Sequence, residues 1–426
     1  MDKTLLKKAA IQSVALMVAV ITASYAFQQY RAVEIYASDI TPADTREFSE
    51  NLRTIELMES GISLVPEQVA AVTGSAIMAA TLDELKNQVA KDLLEKLNDH
   101  YLVIQKPKAE DVTITLEDIY IRKSIKINIT GSYIDVPDSS TIMRVREEDV
   151  FLGDPAYTEV ITQEKDEKDG SVKEITTKDY GKDIIHGISF TNTVDNTTGM
   201  QNSEIMLELD SIYAYSIYED SNYYFIDLRK PSDVYDKILV IDPGHGGKDA
   251  GALSKSKLHY EKNINLGIIL ALKELLDKED IKVYYTRTTD DTVFLRPRVT
   301  LGNTVDCDYY ISIHSNSNEV SSPNGTEVLY YDNNFKGVAA GDLAKLFSDE
   351  LGKGVGLRNR GTVLKHKGDI FIMDKAEIPM ILIEVGYLSN SKDLDYLTDL
   401  QNQKTVAQGI YNAVMRAYEE MPVYRQ

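Results

Sequence analysis

Four residues of this chain have the chemistry to activate a water molecule: His245, Glu261, His314 and Glu384. Two histidines and one carboxylate make a common catalytic zinc shell, with the fourth position left to water. Bound zinc lowers that water's pKa from ~15.7 to about 7, so hydroxide is available at neutral pH. A further carboxylate can take the proton and pass it to a leaving amine. This reading makes His245, Glu261 and His314 the metal ligands and Glu384 the acid/base. The ligands lie far apart in sequence and match no compact local motif. Zinc sites built on several cysteines are excluded, because Cys307 is the single cysteine.

Such groups need elements that hold them in place. Ile238 to Ile241 is an apolar, β-branched run that reads as a buried strand. It stops at Asp242-Pro243-Gly244, leaving His245 on a Gly-rich turn at a strand end, where α/β folds place their chemistry. A phosphate-binding loop is the rival use of such glycines, but no Lys-Ser/Thr pair follows them. Tyr309 to Ile313 runs directly into His314, and Met380 to Ile383 runs into Glu384. Glu261 opens a helix expected over Glu261 to Leu276. Apolar strands that end on His or Glu are unlikely accidents, since burying such groups without partners costs several kcal/mol. Further strands are expected at 281–286 and 326–331, and helices at 338–351 and about 406–418. The alternation predicts an α/β fold over 237–420, a twisted mixed sheet flanked by helices.

Ahead of that unit the chain changes character. Lys3, Lys7 and Lys8 precede Ala9 to Phe27, which carries no charge. At ~1.5 Å per residue this segment spans roughly 28 Å, close to the ~30 Å hydrocarbon core of a bilayer. Residues 1–8 read as cytoplasmic and 9–27 as a transmembrane anchor, with a cleaved signal peptide as the competing reading. Either way the working part lies outside the membrane. Residues 28–105 read as mostly helical, with a capping box at Thr81-Leu82-Asp83-Glu84. Residues 106–230 read as a β-rich module, because Ile125, Ile127 and Ile129 alternate with polar residues and Asp169-Gly170 marks a hairpin. Pro231 and Ser232 read as a linker. The net charge of −21 argues against nucleic acid as a partner, and the absence of tryptophan removes Trp-based sugar platforms.

The motifs around the four residues carry a resemblance. Asp242-Pro243-Gly244-His245-Gly246-Gly247 with Asp249 and Gly251-Ala252, Glu261 with Asn265-Leu266, Thr286-Arg287 with Asp290, Leu295, Arg298 and Asn303 follow one another in order. Ser312-Ile313-His314 with Asn316, then Gly325, Glu327 and Tyr330, and finally Glu384 to Asn390 complete the series. Over about Lys237 to Tyr418 the chain resembles the zinc-dependent N-acetylmuramoyl-L-alanine amidases of the Amidase 3 type. The resemblance implies zinc on His245, Glu261 and His314, catalysis by Glu384, and peptidoglycan as substrate. The bond cut would join N-acetylmuramic acid to the L-alanine of the stem peptide. A zinc peptidase acting within the stem peptide and a non-catalytic wall-binding protein are the alternatives.

Other candidates are weaker. His259 lies close to Glu261 but reads as no ligand, and His186 and His366 read as packing or surface groups. Arg287 and Arg298 read as braces, Asn316 as a group that could orient a substrate amide, and Asp242 as a possible support for a ligand histidine. Some family members carry a helical insertion that plugs the site. Tyr331 to Gly361 has room for one helix and short loops, which predicts an open cleft.

Overall fold

The computed structural model describes residues 91–107, 112–132, 142–147, 149–165 and 172–424, all within one compact unit, Met78–Gln426. The expected anchor at 9–27 and the capping box at Thr81 lie outside these residues. Among the described residues no helix is long and apolar enough to cross a membrane.

Helix α1 is short, Lys91–Leu94. The end of the segment read as helical is instead a strand, β1 (His100–Gln105). Its Tyr-Leu-Val-Ile run is buried on both faces, so tertiary packing sets its conformation. The strands that follow are β2 (Thr113–Ile119), β3 (Ser124–Ser132), β4 (Ile142–Arg146), β5 (Asp149–Leu152), β6 (Thr158–Lys165), β7 (Val172–Asp179), β8 (Ile185–Val194), β9 (Met200–Leu209), β10 (Ala214–Glu219) and β11 (Tyr223–Arg229). One sheet has the order β10-β11-β1-β4-β5 and a second β2-β3-β9-β8, while β6 and β7 form a separate ribbon. Leu102 and Ile104 from the first sheet pack on Ile125, Ile127, Ile129, Ile205 and Leu207 from the second. The alternation along β3 thus places its isoleucines between two sheets.

The C-terminal sheet contains β12 (Ile238–Pro243), β13 (Lys282–Tyr285), β14 (Tyr309–Asn316), β15 (Thr326–Tyr331), β18 (Asn359–Lys365) and β19 (Met380–Tyr387), in the order β13-β12-β14-β19-β15-β18. Strands β16 (Asn334–Phe335) and β17 (Val338–Ala339) form a small ladder apart from it. The sheet is mixed: β12, β13, β14 and β19 run parallel, and β15 pairs antiparallel with β19. Helices α2 (Glu261–Leu276), α4 (Ala340–Gly354) and α7 (Leu400–Glu420) share one core with the sheet's first face. Helices α3 (Leu295–Thr304) and α5 (Phe371–Lys375) cover the second. The remaining helix, α6 (Ser391–Thr398), is capped by the Asn390 side chain.

Helix α3 and strand β18 have weak sequence signals. The first turn of α3 is Leu-Arg-Pro-Arg, a place where proline costs little, and β18 is a polar, Gly-containing edge strand. The opposite edge, β13, is closed by the N-terminal module. The Tyr120 hydroxyl donates to the Tyr285 carbonyl at 2.7 Å and accepts from the Tyr285 amide at 3.0 Å. An otherwise open edge is thereby blunted by one side chain.

Candidate metal and catalytic site

The site is built at the end of β12 and β14, where the polar residues begin. Backbone pairing sets Asp242 beside Ser312 on adjacent strands, and His314 beside Glu384. His245 stands just past β12 with φ of 61°, a left-handed conformation that costs a non-glycine residue about 1–2 kcal/mol. Two supports hold it there. Its carbonyl accepts from Arg298 Nη2 at 2.7 Å, and its ring Nδ1 meets Asp249 Oδ2 at 2.8 Å.

Glu261 joins the two histidines. Its Oε2 lies 3.2 Å from His245 Nε2, and its Oε1 lies 2.9 Å from His314 Nδ1. The amides of Ala252 and Ser315 donate to the same carboxylate at 2.7 and 3.1 Å. Burial would favour its neutral form, but these hydrogen bonds and both imidazoles outweigh it and hold its pKa far below the usual carboxylate range. The two rings stand edge to face, 4.9 Å between centroids. Burial opposes a charged His245, yet its bonds to Asp249 and Glu261 prevail and raise its pKa to about 9.

One ligand atom from each of His245, Glu261 and His314 lies within 4.8 Å of the others. Two imidazoles and an ionised carboxylate are the donor set that suits zinc. Glycines make the approach possible. A Cβ on Gly251, whose φ is 65°, would sit 2.6 Å from both Glu261 Oε2 and His245 Cδ2. A Cβ on Gly244 would overlap the His314 ring. Gly244→Ala should therefore turn that ring and weaken zinc binding by about 10–100-fold, a loss of the size seen when ligand support is removed. Zinc titration against a competing chelator measures it, and wild-type affinity would show that the ring has room.

Glu384 differs from the other three. Its Oε2 is closed off from solvent and has no hydrogen-bond partner among the described residues. Burial, then the charges of Glu261 and Glu327, push its pKa well above the ordinary range. An unpaired carboxyl oxygen next to a ligand set is the arrangement a proton-transfer group needs. All four expected residues are thus brought together. His259, His186 and His366 are not: the His186 ring stacks on Tyr180 instead, 4.2 Å between centroids, and His366 is exposed.

Several residues support the site from behind. Asp242 is fully buried and contacts no histidine directly. It accepts from Arg298 Nη1 at 2.6 Å, Thr286 Oγ1 at 2.5 Å and Ser312 Oγ at 2.8 Å. Arg287 and Arg298 are braces, since their remaining nitrogens go to backbone carbonyls. Asn316 donates to Glu327 Oε1 at 3.2 Å. Asp249 and Asn265 could have been found only from their places in the motif series. The His245 and His314 side chains keep 25% and 18% exposure. Helix α4, which lies between β15 and β18, packs in the core on the first face with α2 and α7.

Residues 239–416 match the sequence family described as N-acetylmuramoyl-L-alanine amidase. The chain is 37% identical over 184 residues to the probable cell wall amidase LytH of Staphylococcus saprophyticus subsp. saprophyticus, covering 43% of this chain and 58% of that protein. It thus spans little more than half the length of that relative. It is 30% identical to the uncharacterised protein YqiI of Bacillus subtilis strain 168, covering 43% of this chain and 86% of that one. Among solved structures it is similar to the catalytic domain of CwlV, an N-acetylmuramoyl-L-alanine amidase from Bacillus (Paenibacillus) polymyxa var. colistinus. That comparison gives 34% identity, 43% of this chain, 98% of that chain and a TM-score of 0.40.

Proposed function

Because this chain belongs, through residues 239–416, to the N-acetylmuramoyl-L-alanine amidase family, we propose that it is a zinc-dependent cell-wall amidase. Its bond is the amide between the lactyl group of N-acetylmuramic acid and the L-alanine of the stem peptide. The observation that carries the reading is the convergence of His245, Glu261 and His314 within 4.8 Å beside the unpaired Glu384.

His245, Glu261 and His314 would hold a zinc ion, which when bound would acidify water and polarise a carbonyl. Asp249 fixes the His245 ring through Nδ1, leaving Nε2 on the side of Glu261. The Glu384 carboxylate, one oxygen of which has no hydrogen-bond partner among the described residues, would take a proton from the attacking water. The same carboxyl would then give it to the departing L-alanine nitrogen, so the amine leaves neutral.

Mass spectrometry of digested peptidoglycan tests the assignment. Intact stem peptides beginning with L-alanine support it, whereas fragments cut inside the stem would replace it with a peptidase. Zinc uptake should also depend on pH. The His245 proton, held up to about pH 9 by Asp249 and Glu261, must leave before the metal binds. Apparent affinity should therefore fall about tenfold per unit as pH drops from about 9 to 6. Chelator competition at stepped pH reads this, and a flat profile down to about pH 7 would show that Asp249 and Glu261 do not hold the His245 proton that high.

The charge-free Ala9 to Phe27, behind Lys3, Lys7 and Lys8, supports a single-pass anchor with the amidase on the extracytoplasmic side. Recovery of the full chain in the soluble fraction, uncleaved, would overturn it.

A further inference from the structure

We infer that Arg360 is a carboxylate-binding residue that reads the peptide side of the substrate. Glu327 lies opposite Glu384 in the antiparallel pairing of β15 with β19, so the two carboxylates share a face of the sheet. Glu327 is 8% exposed and fully engaged. Its Oε1 accepts from Tyr387 Oη at 2.9 Å and from Asn316 at 3.2 Å, and its Oε2 accepts from Arg360 Nε at 2.7 Å. Arg360 also lies over the Tyr387 ring, 5.4 Å from its centroid.

That clamp uses one nitrogen. The two terminal nitrogens of Arg360 have no partner among the described residues, and the side chain is 33% exposed. The guanidiniums around His245 differ, because every nitrogen of Arg287 and Arg298 is occupied by a carbonyl or by Asp242. Arg360 is thus an oriented cation with its fork open, on β18, with β15 and its Glu327 lying between it and Glu384 on β19. A fork of two parallel N–H groups matches one carboxylate.

This inference rests on the amidase reading, which then identifies the carboxylate. In uncut muramyl peptide the lactyl carboxyl is consumed in the scissile amide. Every remaining carboxylate is on the peptide. A simple counter-charge for Glu327 would not require an arginine, since lysine supplies the charge but not the fork.

The test uses the zinc-loaded full chain and two muramyl peptides that differ only at the second stem residue, one with a free carboxylate and one with the carboxamide. The wild type should favour the carboxylate substrate by about 10–100-fold in kcat/KM, mostly through KM, as expected for a charge-assisted bidentate pair. Arg360→Lys should keep the melting temperature near that of the wild type and lose most of the preference. Arg360→Met should bring the ratio to about one. Turnover without preference in the wild type, or a preference that survives in Arg360→Met, overturns the inference alone. No turnover of either substrate by zinc-loaded wild type overturns the amidase reading and this inference with it.

Discussion

Glu384→Gln should lower turnover by about 10²–10⁴ while the protein keeps its zinc. The amide matches the carboxylate in size, so the packing of β19 between β14 and β15 is preserved. What it removes is the proton-accepting oxygen. That carboxyl holds its proton well above the usual range, through burial and the charges of Glu261 and Glu327. A cation held beside it lowers that value again, because an opposite charge favours the ionised form. Glu384 is therefore suited to carry a proton in one step and release it in the next. The measurement is kcat on a muramyl peptide alongside zinc content by elemental analysis. A parallel loss of zinc would mean that Glu384 is a ligand, and full activity would leave it no catalytic role.

Arg298→Met should cost about 3–5 kcal/mol of stability, since it removes one partner of a buried ion pair. Arg298 and Asp242 are 2% and 0% exposed. With Arg298 gone, Asp242 keeps the hydroxyls of Thr286 and Ser312 at hydrogen-bonding distance but no cation bonded to it among the described residues. The carbonyls of Pro243 and His245 lose a donor as well, so the strained turn at His245 loosens. Zinc affinity should fall with stability. Burial opposes ionisation of Asp242, but Arg298 and Thr286 outweigh it and depress its pKa. This contribution is therefore present above the ordinary carboxylate range and is lost as pH falls through and below it. Urea unfolding at neutral pH measures the change, and a loss under about 1 kcal/mol would show that the pair is dispensable. Pairing it with Asp242→Asn should give less than the sum of the single losses, because the two share one interaction.

The sequence by itself singled out the four chemical groups that the fold brings together, and most of the elements that bear them. Helix α2 begins at Glu261 as expected, because the apolar spacing of Ile264, Ile268, Leu272 and Leu276 leaves one phase for the helix. Strands β14 and β19 were legible because runs buried on both faces are apolar throughout, and their ends were marked by His314 and Glu384. Only the tertiary structure decided what lay at edges or answered to distant partners. Strand β1 takes its conformation from β4 and β11, which come later in the chain. Strand β18 is polar because an edge faces water, so periodicity could not find it. Asp249, Asp242 and the Glu327–Arg360 clamp show the same limit. A charged residue that orients another has no pattern of its own, and its role exists only once folding brings the partner within about 3 Å.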